Sequence, residues 1–124
     1  MESINIEGTN KTPTIKSDAK QGVVEIKGRS HPEDTVAFYK PLLNWADEYS
    51  RNPVQKTIVH INLEHFNTSS SKCILDFLNK LEPIRQKNKE VMVNWYYEAD
   101  DDEMLEAGET YQSITGLPFN MIPY

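Results

Sequence analysis

Apolar and polar residues alternate along the first quarter of the chain. Ile4 and Ile6 flank Asn5, and Val24 and Ile26 share one face of Gly22–Gly28. That period of two predicts half-buried strands, with Pro13–Lys16 a further extended segment and Ala19–Gly22 the turn between the last two. The period then lengthens. Phe38, Leu42, Trp45, Ala46 and Tyr49 recur at helical spacing behind Ser30-His31-Pro32-Glu33, whose Ser-x-x-Glu pattern predicts a capping box at the helix start. Pro41 falls inside this helix and predicts a kink or a detached first turn, because proline removes one i to i−4 hydrogen bond. Arg51-Asn52-Pro53 ends it.

Alternation resumes at Thr57–Leu63, with Val59, Ile61 and Leu63 on one face and His60 and Asn62 on the other. A short loop, Glu64–Thr68, leads to a second helix whose apolar stripe is Cys73, Ile74, Phe77, Leu78, Leu81 and Ile84. Val91, Val93, Trp95 and Tyr97 mark another strand. Asp100–Glu103 opens a third helix with acids in its first turn, where the helix dipole favours them. Gly116 and Pro118 end that helix, and Phe119–Ile122 offers a last short strand. Helices placed between strands imply parallel neighbours with right-handed crossovers. Strands covered on both faces would read as unbroken apolar runs. The alternation therefore predicts a mixed α/β sheet of about six strands with its helices mainly on one face.

Length and composition narrow the class. A chain of 124 residues predicts a single domain over residues 1–124. The 38% hydrophobic and 26% charged content is that of a globular protein. A single cysteine leaves no internal disulfide, which fits a reducing compartment. No charged-then-apolar leader opens the chain and no apolar run approaches the roughly 20 residues that span a bilayer. The expectation is a cytoplasmic protein with no membrane partner. A net charge of −6, with lysines scattered along the chain, argues against nucleic acid.

Little in the sequence points to catalysis. There is no glycine-rich phosphate loop, HExxH or GxSxG, and no cofactor is expected. Cys73 lies on the apolar stripe of the second helix and reads as a core thiol. His31, His60 and His65 are not spaced as ligands on one element, so no metal site is expected. Asp100–Glu103 lacks the glycine and the distal glutamate of a calcium loop. A small metal-dependent hydrolase would have to assemble His60, Glu64 and His65 at the strand end.

One segment stands apart: Phe66-Asn67-Thr68-Ser69-Ser70-Ser71-Lys72, between an apolar strand and an apolar helix. Asn67 or Thr68 can serve as N-cap, with the serines filling the first turn. Four consecutive hydroxyls exceed what capping requires, since one cap satisfies one or two orphan N–H groups. A phosphate on Thr68 would meet the N–H groups and positive dipole end of the helix, with Lys72 one turn on. Capping and phosphorylation are both compatible with these residues.

The strand Thr57–Leu63, the Asn67-Thr68-Ser69-Ser70 element with Lys72, and the helix after it resemble the SiaC-type regulatory phosphoproteins. So do Gly8-Thr9 with Thr12-Pro13, Pro32-Glu33, Trp45, and Val93-Asn94-Trp95-Tyr96-Tyr97. The resemblance runs from Ile4 to Pro123. It implies a STAS-like fold, similar to anti-sigma-factor antagonists, and a partner-switching circuit without catalysis by the chain itself. A cognate serine/threonine protein kinase would phosphorylate Thr68, within the motif Asn67, Ser69, Ser70 and Lys72, and a PP2C-type phosphatase would remove the phosphate. The unphosphorylated form would bind and activate a diguanylate cyclase and so feed cyclic di-GMP and biofilm control. An antagonist that captures an anti-sigma kinase is the alternative output of the same fold. Tyr39, Trp45 and Tyr49 are either core or a docking face.

Overall fold

In a computed structural model that describes residues 1–124, the chain forms six strands and three helices. In order these are β1 (Ile4–Ile6), β2 (Thr14–Asp18), β3 (Val23–Ser30), α1 (Thr35–Tyr49), β4 (Lys56–Phe66), α2 (Thr68–Arg85), β5 (Glu90–Tyr97), α3 (Asp102–Thr115) and β6 (Phe119–Pro123). The sheet order follows the chain from β1 to β6. β1, β2 and β3 pair antiparallel, and β3 through β6 pair parallel. Three successive right-handed crossovers that advance in one direction place all three helices on the same side of the sheet.

Burial follows that arrangement. Val59, Ile61 and Leu63 of β4 and Val91, Val93 and Trp95 of β5 are buried, whereas the intervening residues are half-exposed. The buried side chains join Leu42, Ala46, Ile74, Phe77, Leu78 and Leu81 of the helices in one cluster of 23 residues. Tyr39, Trp45 and Tyr49 belong to this core and are not a docking face. Trp45 and Tyr49 stack with ring centroids 4.6 Å apart, and the Tyr49 hydroxyl meets Thr57 Oγ1 at 2.7 Å. Gly22 closes the β2–β3 turn at φ 69°, with Asp18 Oδ1 accepting from the amides of Lys20 and Gln21. A Cβ at Gly22 would lie 2.5 Å from Val54 Cγ2 and 2.8 Å from the Tyr49 hydroxyl, so both conformation and space require glycine.

Two expectations change. The Ser30-to-Glu33 capping box does not form, because Ser30 is the last residue of β3 and pairs with Phe66. The N-cap of α1 is Asp34, whose carboxylate accepts from the Ala37 amide at 3.1 Å. Nor does Pro41 split the helix, which runs unbroken from Thr35 to Tyr49. Pro41 and Ala37, whose carbonyl loses its i+4 donor, are both exposed, so water can satisfy that carbonyl.

Candidate functional site

The β4–α2 junction is shorter than the sequence suggests. β4 continues through Glu64 and His65 to Phe66, and Asn67 alone separates strand from helix. A register shift makes this possible: Gly28 pairs with Leu63, but Arg29 pairs with His65, leaving Glu64 as the extra residue of a bulge. A bulge resets the alternation of side chains. Leu63 and Phe66, an odd number of residues apart, therefore both reach the core, where Phe66 meets Trp95 edge-on. His65 hid this extension, since it puts a polar residue where an alternating strand would put an apolar one.

Asn67 has extended backbone, φ −84° and ψ 173°, and is the N-cap of α2. Its side-chain oxygen accepts from the Ser70 amide at 2.8 Å and from Ser69 Oγ at 3.3 Å. Its own amide donates to the Ser30 carbonyl at 3.0 Å. The junction is thus tied to the end of β3.

The four hydroxyls after Asn67 then separate into distinct roles. Ser70 is fully buried. Tyr39 donates to Ser30 Oγ at 2.6 Å, Ser30 donates to Ser70 Oγ at 2.7 Å, and Ser70 donates to the Ser30 carbonyl at 3.1 Å. This chain links α1, β3 and α2 with every hydroxyl proton used. Burial pushes the Tyr39 hydroxyl up to about 12, against a smaller opposite effect of the Ser30 hydrogen bond. Ser69 Oγ accepts from Thr35 Oγ1 at 2.9 Å, pinning the first turn of α1. Ser71 Oγ meets the Tyr111 hydroxyl at 2.8 Å while that hydroxyl donates to the Ser71 carbonyl at 3.0 Å, pinning α3. Burial likewise raises the Tyr111 hydroxyl above its ordinary value.

Thr68 is the remaining hydroxyl. It is exposed, occupies the first position of α2, and takes no part in these side-chain bonds. The amides of Ser70 and Ser71 are satisfied by Asn67, whereas those of Thr68 and Ser69 have no partner in the chain. Lys72, also exposed, follows one turn later. An anionic group on Thr68 would find open N–H donors, the positive end of the helix dipole and a nearby cation.

The other sequence candidates disperse. His60 lies on the open face of the sheet, with Nδ1 3.0 Å from the Tyr96 hydroxyl. His65 Nδ1 instead meets His31 Nε2 at 2.7 Å, and Glu64 pairs with Arg29 at 3.3 Å. The His31 and His65 rings lie within 13° of parallel with centroids 4.7 Å apart. The facing nitrogens are close enough to share an N–H···N bond. His60, Glu64 and His65 therefore do not assemble as a hydrolytic centre, because Glu64 pairs with Arg29 and His65 with His31, four and five residues along the strand from His60. No three His, Cys, Asp or Glu side chains are grouped to hold a metal ion. Cys73 is buried, and burial raises its thiol above the ordinary value. No helix is long and apolar enough to cross a membrane.

The chain matches the description "SiaC family regulatory phosphoprotein" over residues 6–124. An uncharacterized protein of Pseudomonas aeruginosa strain UCBPP-PA14 is 27% identical over 119 residues, spanning 96% of this chain and 94% of its own. The crystal structure of apo-SiaC from Pseudomonas aeruginosa superposes with a TM-score of 0.88 at 27% identity, covering 98% of this chain and 99% of that one. A chain in the crystal structure of the diguanylate cyclase SiaD in complex with its activator SiaC, from the same organism, gives 0.90 at 26% identity, with 98% and 99% covered. Fold and length agree across these matches, and the chain belongs to the SiaC family of regulatory phosphoproteins.

Proposed function

We propose that this regulatory protein is a partner switch operated by reversible phosphorylation of Thr68. The observation that carries the reading is the division of labour among the four hydroxyls. Ser69, Ser70 and Ser71 are engaged with α1, β3 and α3, and Thr68 alone stands free at the helix start. A cognate serine/threonine kinase would reach Thr68 without opening the core, and a PP2C-type phosphatase would reverse the step. Asn67 shapes the turn, Ser69 and Ser70 brace it, and Lys72 stands one turn on to meet the phosphate.

The phosphate adds about −1.5 to −2 of charge at neutral pH to a surface of a protein already at −6. The fold tolerates it, because the helix terminus accepts an anion. A partner docked over the same corner would meet repulsion and a desolvation cost. Binding is then lost with little internal rearrangement.

The target we assign to the unphosphorylated form is a diguanylate cyclase, which it would activate, because a chain that superposes at a TM-score of 0.90 comes from a cyclase–activator complex. Capture of an anti-sigma kinase would use the same corner, but no observation here favours it. The site of action on this reading is the cytoplasm, where cyclic di-GMP is made, and the whole chain acts as one domain. The test is cyclase activation by Thr68→Ala and Thr68→Asp proteins. Thr68→Ala should activate whether or not kinase is present, and Thr68→Asp should activate poorly. Equal activation by the two would remove the basis for the switch.

A further inference from the structure

The opposite end of the sheet gathers charge in a way the linear sequence conceals. Lys56 at the start of β4, Arg85 at the end of α2, and Lys89 before β5 line one cleft of about 380 Å³, together with Glu90, Val91, Met92 and Pro118. Three cations and one carboxylate give this cleft a local charge of +2 (3 − 1) on a chain whose net charge is −6. The chain's salt bridges, Arg29 with Glu64 and Lys80 with Asp47, involve none of the three cations; Glu90 sits opposite Lys56 in the β4–β5 register but forms no salt bridge with it.

Two of the cations are held in place by the backbone. Arg85 Nη1 donates to the Gly116 carbonyl at 2.7 Å, and Lys89 Nζ donates to the Pro53 carbonyl at 2.6 Å. Each bond uses a single N–H, leaving four donors on the guanidinium and two on the ammonium. Like charges gathered this way repel one another unless an anion joins them. Fixing the cations beforehand lowers the ordering cost when an anion binds.

We propose that this cleft is an anion-binding site for a small polyphosphate ligand, such as the diphosphate of a nucleotide. Arg85 offers the planar fork that pairs with two phosphate oxygens, and Lys56 and Lys89 act as point charges on the rest of the chain. Met92 and Pro118 offer an apolar wall against which a base can pack. The volume falls within the range of small-molecule pockets, about 300–1,000 Å³. The site lies at the other end of α2 from Thr68, seventeen residues or about 25 Å along the helix axis. It is separate from the phosphorylation switch and does not depend on it.

The test is isothermal titration of the full chain with sodium pyrophosphate and with ADP at low ionic strength and without magnesium. Saturable one-site binding is expected for both, with ADP the tighter because of the apolar wall. Arg85→Gln and Lys56→Gln should each weaken binding by about tenfold, the scale of one charge-assisted contact. Lys56 makes no side-chain hydrogen bond, so its substitution leaves the fold intact even if Arg85→Gln does not. Arg29→Gln, which removes a cation elsewhere on the surface, should leave affinity unchanged. Absence of saturable binding by pyrophosphate and ADP at millimolar concentration would overturn the proposal. Equal weakening by Arg29→Gln and Lys56→Gln would overturn it too, because the attraction would then be diffuse.

Discussion

Ser70 Oγ accepts from Ser30 Oγ at 2.7 Å and returns its own proton to the Ser30 carbonyl at 3.1 Å. This reciprocal pair spans forty residues of sequence and joins the end of β3 to the first turn of α2. It places one serine of the Thr68 segment in the core as a structural group, while Thr68 itself stays in solvent.

Ser70→Ala should therefore destabilise the protein by about 1–3 kcal/mol, since it leaves the buried Ser30 hydroxyl without its acceptor. Thr68→Ala should change stability by no more than about 0.5 kcal/mol, as exposed substitutions usually do. Urea melts of the two variants check the contrast. Equal losses would mean that Thr68 also has a structural partner.

Asn67→Ala should cost about 1 kcal/mol through loss of the α2 N-cap, and Asn67→Asp should recover most of it. Thermal melts of the pair decide this. No difference between alanine and aspartate would show that the turn is held by its backbone bonds alone.

Stability should fall as the pH rises from 10 towards 12. In the unfolded chain a tyrosine hydroxyl loses its proton near 10.0, whereas burial holds that of Tyr39 to about 12. The folded state binds the extra proton across this window. The Tyr39 contribution is thus complete below pH 10 and is lost as the pH approaches 12, a change of roughly 2–3 kcal/mol. Tyr111 is raised in the same direction. Tyr39→Phe should be less stable at neutral pH by about 1 kcal/mol and should show a shallower alkaline decline. Parallel pH profiles for the two proteins would count against this assignment.

Gly108 in α3 faces the Trp95 indole so closely that a Cβ would lie 2.6 Å from Cδ1 and 2.7 Å from Nε1. Trp95 cannot easily yield, because Nε1 donates to the Met104 carbonyl at 2.9 Å and Phe66 and Tyr111 meet it edge-on. Gly108→Ala should cost about 1–3 kcal/mol and alter tryptophan emission. An unperturbed spectrum and stability would mean that α3 slides without penalty.

Much of the architecture was legible because period and connection suffice for it. Val59, Ile61 and Leu63 declare a half-buried strand, the Cys73–Ile84 stripe declares a helix on one face, and helices between strands declare parallel neighbours. What escaped depends on contacts distant in sequence. Ser30-His-Pro-Glu33 has capping spacing, but the Ser30 hydroxyl is taken by Tyr39 and Ser70, which no local pattern reveals. The bulge at Glu64 is invisible until β3 is laid beside β4. Lys56, Arg85 and Lys89 look scattered along the chain and meet only when α2 packs across β4 and β5. The Thr68 segment was conspicuous as a run of hydroxyls, but only the structure separates the unengaged one from the three that brace the junction.

Phosphopeptide mass spectrometry on the protein purified from its own host, with phosphatase inhibitors present, tests the central claim most directly. The account predicts phosphate on Thr68 in a fraction of molecules that varies with growth state, and none on the buried Ser70. Complete coverage of residues 66–72 across several growth states with no phosphate on Thr68 would contradict it, and the hydroxyl run would then serve only to anchor α2.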